Sequence, residues 1–276
     1  MEDKALDYSQ PVEIAAGIFW VGFADEKSSM HCNPYLIIEG KEAVLIDGGS
    51  RPDFSTVMMK ILHTGIRPSQ IKRLIYQHYD PDLCGNIPHL EEIIGGSELR
   101  ILSHKENNPF IKHYAAASPC DCVDELGGRF RFASGRELTF HRTPYAHSAG
   151  SFVTWDSATR TLFSSDLFGS YDADWELFLK LGADCLACGT DGQCGRSERG
   201  VCPIKGITRF HERVMSSNSA LRHALECIRE LPAERIAPQH GSILTGPDIL
   251  QRVTDVLGSL TRVGIDRFIT GERDET

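Results

Sequence analysis

His78-Tyr79-Asp80-Pro81-Asp82 places an imidazole and two carboxylates at every second position, directly after the apolar run Leu74-Ile75-Tyr76. Side chains two residues apart on an extended segment share a face, so these three donors can turn towards one centre. Imidazole nitrogen and carboxylate oxygen are both metal ligands, and a metal-binding loop at the end of a buried strand is one reading. Capped turns use the same residue types, so this stretch alone does not decide between them. Three later positions also put a potential ligand at the end of a strand-like segment. They are His147 before Ser148-Ala149-Gly150, Asp166 after Leu162-Phe163-Ser164-Ser165, and His240 before Gly241-Ser242. Three imidazoles and three carboxylates suffice for a dinuclear site, because a carboxylate can bridge two metals. The competing reading makes all six unrelated caps and core polars. Their joint context, and no single residue, argues against it.

The elements that must position these residues alternate between strand and helix. Residues 14–21 read as a strand interrupted by Gly17, and 34–38 with 43–47 as a hairpin around Glu39-Gly40-Lys41. Asp47 is assigned an Asx-type role, ordering neighbouring loops by accepting backbone N–H bonds, with direct metal ligation the rarer alternative. Phe54, Val57, Met58, Ile61 and Leu62 recur at helical spacing before the stop signal Gly65. A strand over 71–77, a short helix over 87–94, a strand over 100–103 and a helix over 105–117 broken near Pro109 follow. This alternation indicates a layered α/β protein. Strands over 136–141, 151–155 and 161–165 then form a meander. Asn218 or Ser219 caps a helix carrying Leu221, Leu225 and Ile228 that ends before Pro232. Residues 1–276 are read as one domain, with a cysteine-rich insertion at about 184–203 and an amphipathic helical tail at about 247–276.

The totals exclude several classes. A formal charge of −9, from 29 basic and 38 acidic side chains, argues against a nucleic-acid surface, which needs clustered Lys and Arg. No apolar run approaches a membrane span and no secretory signal pattern opens the chain, so the expected location is cytoplasmic. Nine cysteines without such a signal point to metal or thiol chemistry in preference to a disulfide framework.

Over about residues 12–245 the pattern resembles the metallo-β-lactamase superfamily, and within it the flavodiiron proteins and the related stand-alone oxygen-binding diiron proteins. The stretches that carry the resemblance are His78-Tyr79-Asp80-Pro81-Asp82, Thr143-Pro144-Tyr145-Ala146-His147, Phe163-Ser164-Ser165-Asp166-Leu167-Phe168-Gly169 and Ala237-Pro238-Gln239-His240-Gly241. The resemblance implies an αββα sandwich with its site at one edge. It also implies that His78, Asp80 and His147 bind one metal, that Asp82 and His240 bind a second, and that Asp166 bridges them. Two departures stand out. Asp80 takes the place of a Glu, and Leu83 takes the place of a His found in hydrolytic relatives and many diiron ones. Zinc hydrolases of this fold present a nitrogen-rich ligand set, whereas a mixed set with a bridging carboxylate suits iron better, with manganese or zinc as the other candidates.

The resemblance implies a non-haem diiron protein that binds or senses O₂ or another small diatomic ligand. The alternatives are an O₂ or NO reductase fed by an external donor or a cysteine-bound cluster, and a zinc hydrolase of thioesters, lactones or phosphodiesters. About thirty-five residues follow His240, too few for a flavodoxin domain, so no FMN is expected in this chain and an electron-donor or signalling protein is the expected partner. A homodimer is common in such proteins. Tyr79 and Tyr171 are assigned as phenols able to donate a hydrogen bond near the metals, against a plain packing role. Cys185, Cys188, Cys194 and Cys202 could hold zinc or an iron–sulfur cluster, act as a thiol switch, or have no such role. Cys32, Cys84 and Cys227 take the default of a small buried hydrophobe.

Overall fold

The computed structural model describes residues 6–23, 31–96, 98–115, 117–171, 175–188 and 202–269. The chain divides into two compact units, one built mainly from residues up to 139, the other from 140–156 and 160 onwards.

The first unit is organised by a seven-stranded sheet. Its strands are β1 (Val12–Ala15), β2 (Ile18–Trp20), β3 (Tyr35–Glu39), β4 (Glu42–Ile46), β5 (Ile71–Ile75), β6 (Arg100–Ser103) and β7 (Cys120–Cys122), in that order across the sheet. β1 to β4 pair antiparallel, and β4 to β7 pair parallel. In β5 the half-buried Lys72 and Arg73 follow the buried Ile71, and only the strand's end, Leu74 and Ile75, is fully buried and runs on into the buried Tyr76, as a parallel strand covered on both faces requires. The crossover helix α1 (Phe54–His63) buries Val57, Met58 and Ile61 as its periodicity predicts, but Leu62, read as part of the same stripe, faces solvent beside Met59. Two short helices follow β5, α2 (Pro81–Cys84) and α3 (Ile87–Ile94). The core joins α1 and α3 to the central strands through Leu45, Leu74, Ile61, Leu83, Ile87 and Leu90. The reading of 105–117 needs correction. Among the described residues there, α4 (Asn108–Ile111) is the one helix, and Pro109 lies in its first turn, where a missing N–H costs nothing, so it starts the helix and does not break it.

A second mixed sheet begins with β8 (Arg129–Arg131) and β9 (Glu137–Arg142) and continues through β10 (Phe152–Asp156) and β11 (Thr161–Phe163). The second unit then adds α5 (Ala183–Ala187), α6 (Pro203–Val214), α7 (Asn218–Ile228), β12 (Arg235–Ala237), β13 (Leu244–Thr245), α8 (Pro247–Ser259) and α9 (Asp266–Ile269). β10 and β11 are antiparallel, as a meander requires, but β12 returns parallel to β11. β7, β8 and β13 are short strands that the sequence pattern does not announce. α6 escaped it too, although Ile207 and Phe210 are buried at helical spacing. The tail forms α8 and α9, with Val253, Val256 and Leu257 buried. Among the described residues, no helix is long and apolar enough to cross a membrane.

The cap of α7 is one residue earlier than its sequence suggests. Ser217, in extended backbone, accepts a hydrogen bond from the Ala220 amide at 3.1 Å, while Asn218 donates to the carbonyl of Thr261. Ser217→Ala is expected to cost about 1 kcal/mol in urea unfolding, against near-neutrality for Ser219→Ala.

Candidate metal centre

In the first unit the ligand-bearing segment is held by side chains that take up its backbone polar groups. Beyond the end of β5, the carbonyls of Tyr76, Gln77 and His78 accept hydrogen bonds from Ser103 Oγ (2.6 Å), Asn107 Nδ2 (3.5 Å) and Cys84 Sγ (3.9 Å). The Gln77 amide donates to Asp47 Oδ1 at 3.5 Å, the loop-ordering role read from its sequence. His78 is thereby presented on a fixed backbone with its ring 1% exposed, and its Nε2 lies 3.9 Å from Asp80 Oδ2. Asp80 is the N-cap of α2, yet its side chain makes no capping bond. The amides of Leu83 and Cys84 go to its backbone carbonyl instead, at 3.1 and 2.9 Å. The carboxylate is not consumed by the turn, which counts against the capped-turn reading. Asp82 lies in the first turn of α2, with Cys32 Sγ 3.7 Å from its Oδ2. Leu83 offers no donor and is fully buried in the core beside Ile87 and Leu90.

In the second unit three of the predicted ligands converge. The Ser164 amide bonds to the Ala237 carbonyl at 3.1 Å and the Gln239 amide to the Ser165 carbonyl at 2.8 Å. These bonds carry the β11–β12 pairing past the strand ends and bring Asp166 and His240 side by side. Gly241 follows at φ +79, where a Cβ would collide with Ser170, so the turn after His240 requires glycine. His147 sits on a loop pinned by Ser216 Oγ, which donates to the carbonyls of Tyr145 (2.7 Å) and His147 (3.0 Å). Asp166 Oδ2 is 3.2 Å from His147 Nε2, and its other oxygen is 3.6 Å from His240 Nε2. One buried carboxylate thus addresses a different imidazole with each oxygen. Two ligand atoms each about 2.1 Å from one cation and 90–110° apart lie roughly 3.0–3.4 Å from each other. The 3.2 Å separation of Asp166 from His147 lies in that range and the 3.6 Å separation from His240 is slightly beyond it, so the donor types fit metal ions on either side of Asp166 and the His147 side has the tighter spacing.

A further residue supports this loop and was not found in the sequence. His211 on α6 is fully buried, and its Nε2 accepts the Phe168 amide at 2.9 Å, so its Nδ1 carries the proton donated to the Ile207 carbonyl at 2.7 Å. That amide lies two residues after Asp166, in a turn where Phe168 itself has φ +70. The signal lay in the amphipathic pattern of α6, with Ile207, Phe210 and His211 on one face. The tyrosines are placed less decisively. The Tyr79 ring stacks on Phe110 at 4.2 Å, a packing role. Tyr171 lies 4.8 Å from Phe210, whose ring is 5.6 Å from that of His240. Cys185 is on α5, Cys188 follows it and Cys202 precedes α6, while Cys194 lies outside the described residues. Among the described residues, no metal-binding group of three includes Cys185, Cys188 or Cys202.

Residues 30–241 match the family model of the ODP family beta lactamase, and the chain belongs to that family. Its α/β fold is of the metallo-β-lactamase type. The structure is similar to a chemotaxis sensor ODP solved as a peroxy diiron species, with a TM-score of 0.72 and 22% identity, covering 93% of this chain and 96% of that one. It is similar to the apo state of the chemotaxis sensor ODP from T. denticola, with a TM-score of 0.73 and 25% identity over 93% and 95% of the two chains. In sequence it is 25% identical to the type A flavoprotein fprA of Rhodobacter capsulatus over 248 residues, 85% of this chain and 52% of that protein. The chain spans about half the length, or less, of the curated relatives it matches.

Burial holds the His211 imidazolium back, lowering its pKa from 6.5 to about 4. Between these values the unfolded chain binds a proton that the folded one refuses, so stability is lost as pH falls through this window. The loss approaches about 3 kcal/mol by the lower end. Urea midpoints measured from pH 7 to pH 4 are expected to fall less steeply for His211→Gln than for the unsubstituted chain. Parallel slopes would show that His211 is not held neutral.

Proposed function

We propose that this protein binds O₂ at a diiron centre and serves as an oxygen-binding or oxygen-sensing protein. The observation that carries the reading is the Asp166 carboxylate, with one oxygen facing His147 and the other facing His240. The ligand order shared with the diiron branch assigns His78, Asp80 and His147 to one iron, Asp82 and His240 to the other, and Asp166 to both. Two irons held in this way supply a place for O₂ to bind and the electrons that stabilise it there.

The protein's own part is to hold, orient and shield. The strand-end loops fix three imidazoles and three carboxylates before a ligand arrives, which lowers the reorganisation that binding demands. Around Asp166 the buried Leu167, Phe168 and Phe210 keep bulk water from the carboxylate. The Asp80 carboxylate starts one methylene closer to the backbone than a glutamate's would, and Asp80 would hold an iron through that shorter side chain. Mixed imidazole and carboxylate donors favour iron over zinc, with manganese the nearest substitute. The likeness to a sensor captured as a peroxy diiron species supports binding over turnover. A cytoplasmic setting, a signalling or electron-donor partner and a homodimer complete the reading.

Protein prepared anaerobically with ferrous iron is expected to hold two irons per chain and to gain a visible absorption band on exposure to air. Asp166→Ala should lose the bridge, retain fewer than about one iron, and show no band. Zinc as the sole metal of the purified protein, together with esterase or lactonase turnover and no change in air, would contradict the proposal. So would an Asp166→Ala chain that keeps both irons.

A further inference from the structure

Cys32 is a buried cysteine whose sulfur faces a carboxylate, Asp82, and not only apolar neighbours. His31, Cys32 and Asn33 are all buried, and the chain is tied down immediately after the sulfur. Asn33 Oδ1 accepts from Trp20 Nε1 at 2.9 Å, and the Val21 amide donates to the Pro34 carbonyl at 3.0 Å. Gly22 lies flat against the same segment, so close that a Cβ there would stand 2.5 Å from the Cys32 carbonyl oxygen. The Gly22 carbonyl is held in turn by Lys60 Nζ at 2.6 Å, and that ammonium sits 3.8 Å over the Trp20 ring. All this fixes a sulfur 3.7 Å from Asp82 Oδ2. A thiolate sulfur about 2.3 Å and a carboxylate oxygen about 2.1 Å from one cation, set at a tetrahedral angle, are roughly 3.6 Å apart. The thiol donates a hydrogen bond to that carboxylate, and the 3.7 Å separation is also close to that of two ligands to a single ion. Asp82 also lines a cavity of about 510 Å³ walled by Arg51, His113 and Tyr114, which gives an ion a way in.

We infer that Cys32 is a thiolate ligand to the metal that Asp82 binds. The inference rests on the diiron reading above and adds a donor to it. The residue after Asp82 turns into the core as Leu83 and supplies no nitrogen, and the chain brings a sulfur to Asp82 from fifty positions earlier in the sequence. On binding, the Cys32 S–H bond breaks, the S–metal bond forms, and the thiol proton passes to solvent. The metal then carries an anionic sulfur donor, which lowers its net charge and favours thiophilic ions such as Fe(II), Co(II) and Zn(II) over Mn(II).

Co(II) alone, added anaerobically to the metal-stripped full chain, is the probe. The unsubstituted protein is expected to show thiolate-to-cobalt charge-transfer absorption, part of which disappears in both Cys32→Ser and Asp82→Ala and persists in Cys188→Ser. Cys32→Ser should also bind its second cobalt about tenfold or more weakly. In the unsubstituted chain, alkylation mapped by peptide mass should find Cys32 protected by cobalt. Full charge-transfer intensity and undiminished affinity in Cys32→Ser, or a Cys32 alkylation rate that cobalt does not change, would overturn the inference. Two cobalts bound equally well by Cys32→Ser would sink the thiolate ligand and leave the dinuclear reading standing. A chain that binds no cobalt through its histidines and aspartates would overturn both.

Discussion

A single buried carboxylate is the constraint on which the second unit is organised. Asp166 is 4% exposed and has an imidazole nitrogen facing each of its oxygens. An ionised carboxylate is costly to bury unless positive charge or donated hydrogen bonds compensate it. Protonated imidazoles would serve, and so would metal cations, which also explain why the two histidines approach from different oxygens. The surrounding structure reads as support for that arrangement. β11 and β12 pair in parallel so that their ends lie adjacent, Gly241 permits the turn behind His240, and His211 takes up the amide that the Phe168 turn leaves over.

The first unit solves the same problem by other means. His78 stands past the end of β5, where the carbonyls of Tyr76, Gln77 and His78 are taken by side chains from β6, from the residue before α4 and from α2. With those groups satisfied, the backbone has little reason to rearrange. Both units thus use a parallel strand end as the platform and spend neighbouring polar side chains on holding the backbone. Function then resides in short loops on a rigid frame.

The candidate ligand positions were proposed because each lies at the end of a strand-like segment, a pattern visible without tertiary information. The core strands were legible for a related reason, since parallel strands must be apolar on both faces. What could not be read depends on residues distant in sequence. Cys32 reads as a small hydrophobe until Asp82 is seen beside it, fifty positions away. His211 attracts no notice in the sequence until α6 is known to bury that face. The errors at Pro109 and Ser217 are of a different sort. Each rule was sound, but a proline inside an element and a proline in its first turn look alike before the boundary is known. The αββα class was carried by the resemblance and agrees with the two mixed sheets found.

The central claim is that Asp166 joins two irons, and X-ray absorption at the iron edge addresses it directly. Iron-loaded anaerobic protein is predicted to show an iron–iron scattering vector at about 3.5–4 Å, the separation of bridged dinuclear sites. That vector should vanish in Asp166→Ala. A spectrum of isolated irons with only light-atom neighbours, in protein carrying two irons per chain, would contradict the account.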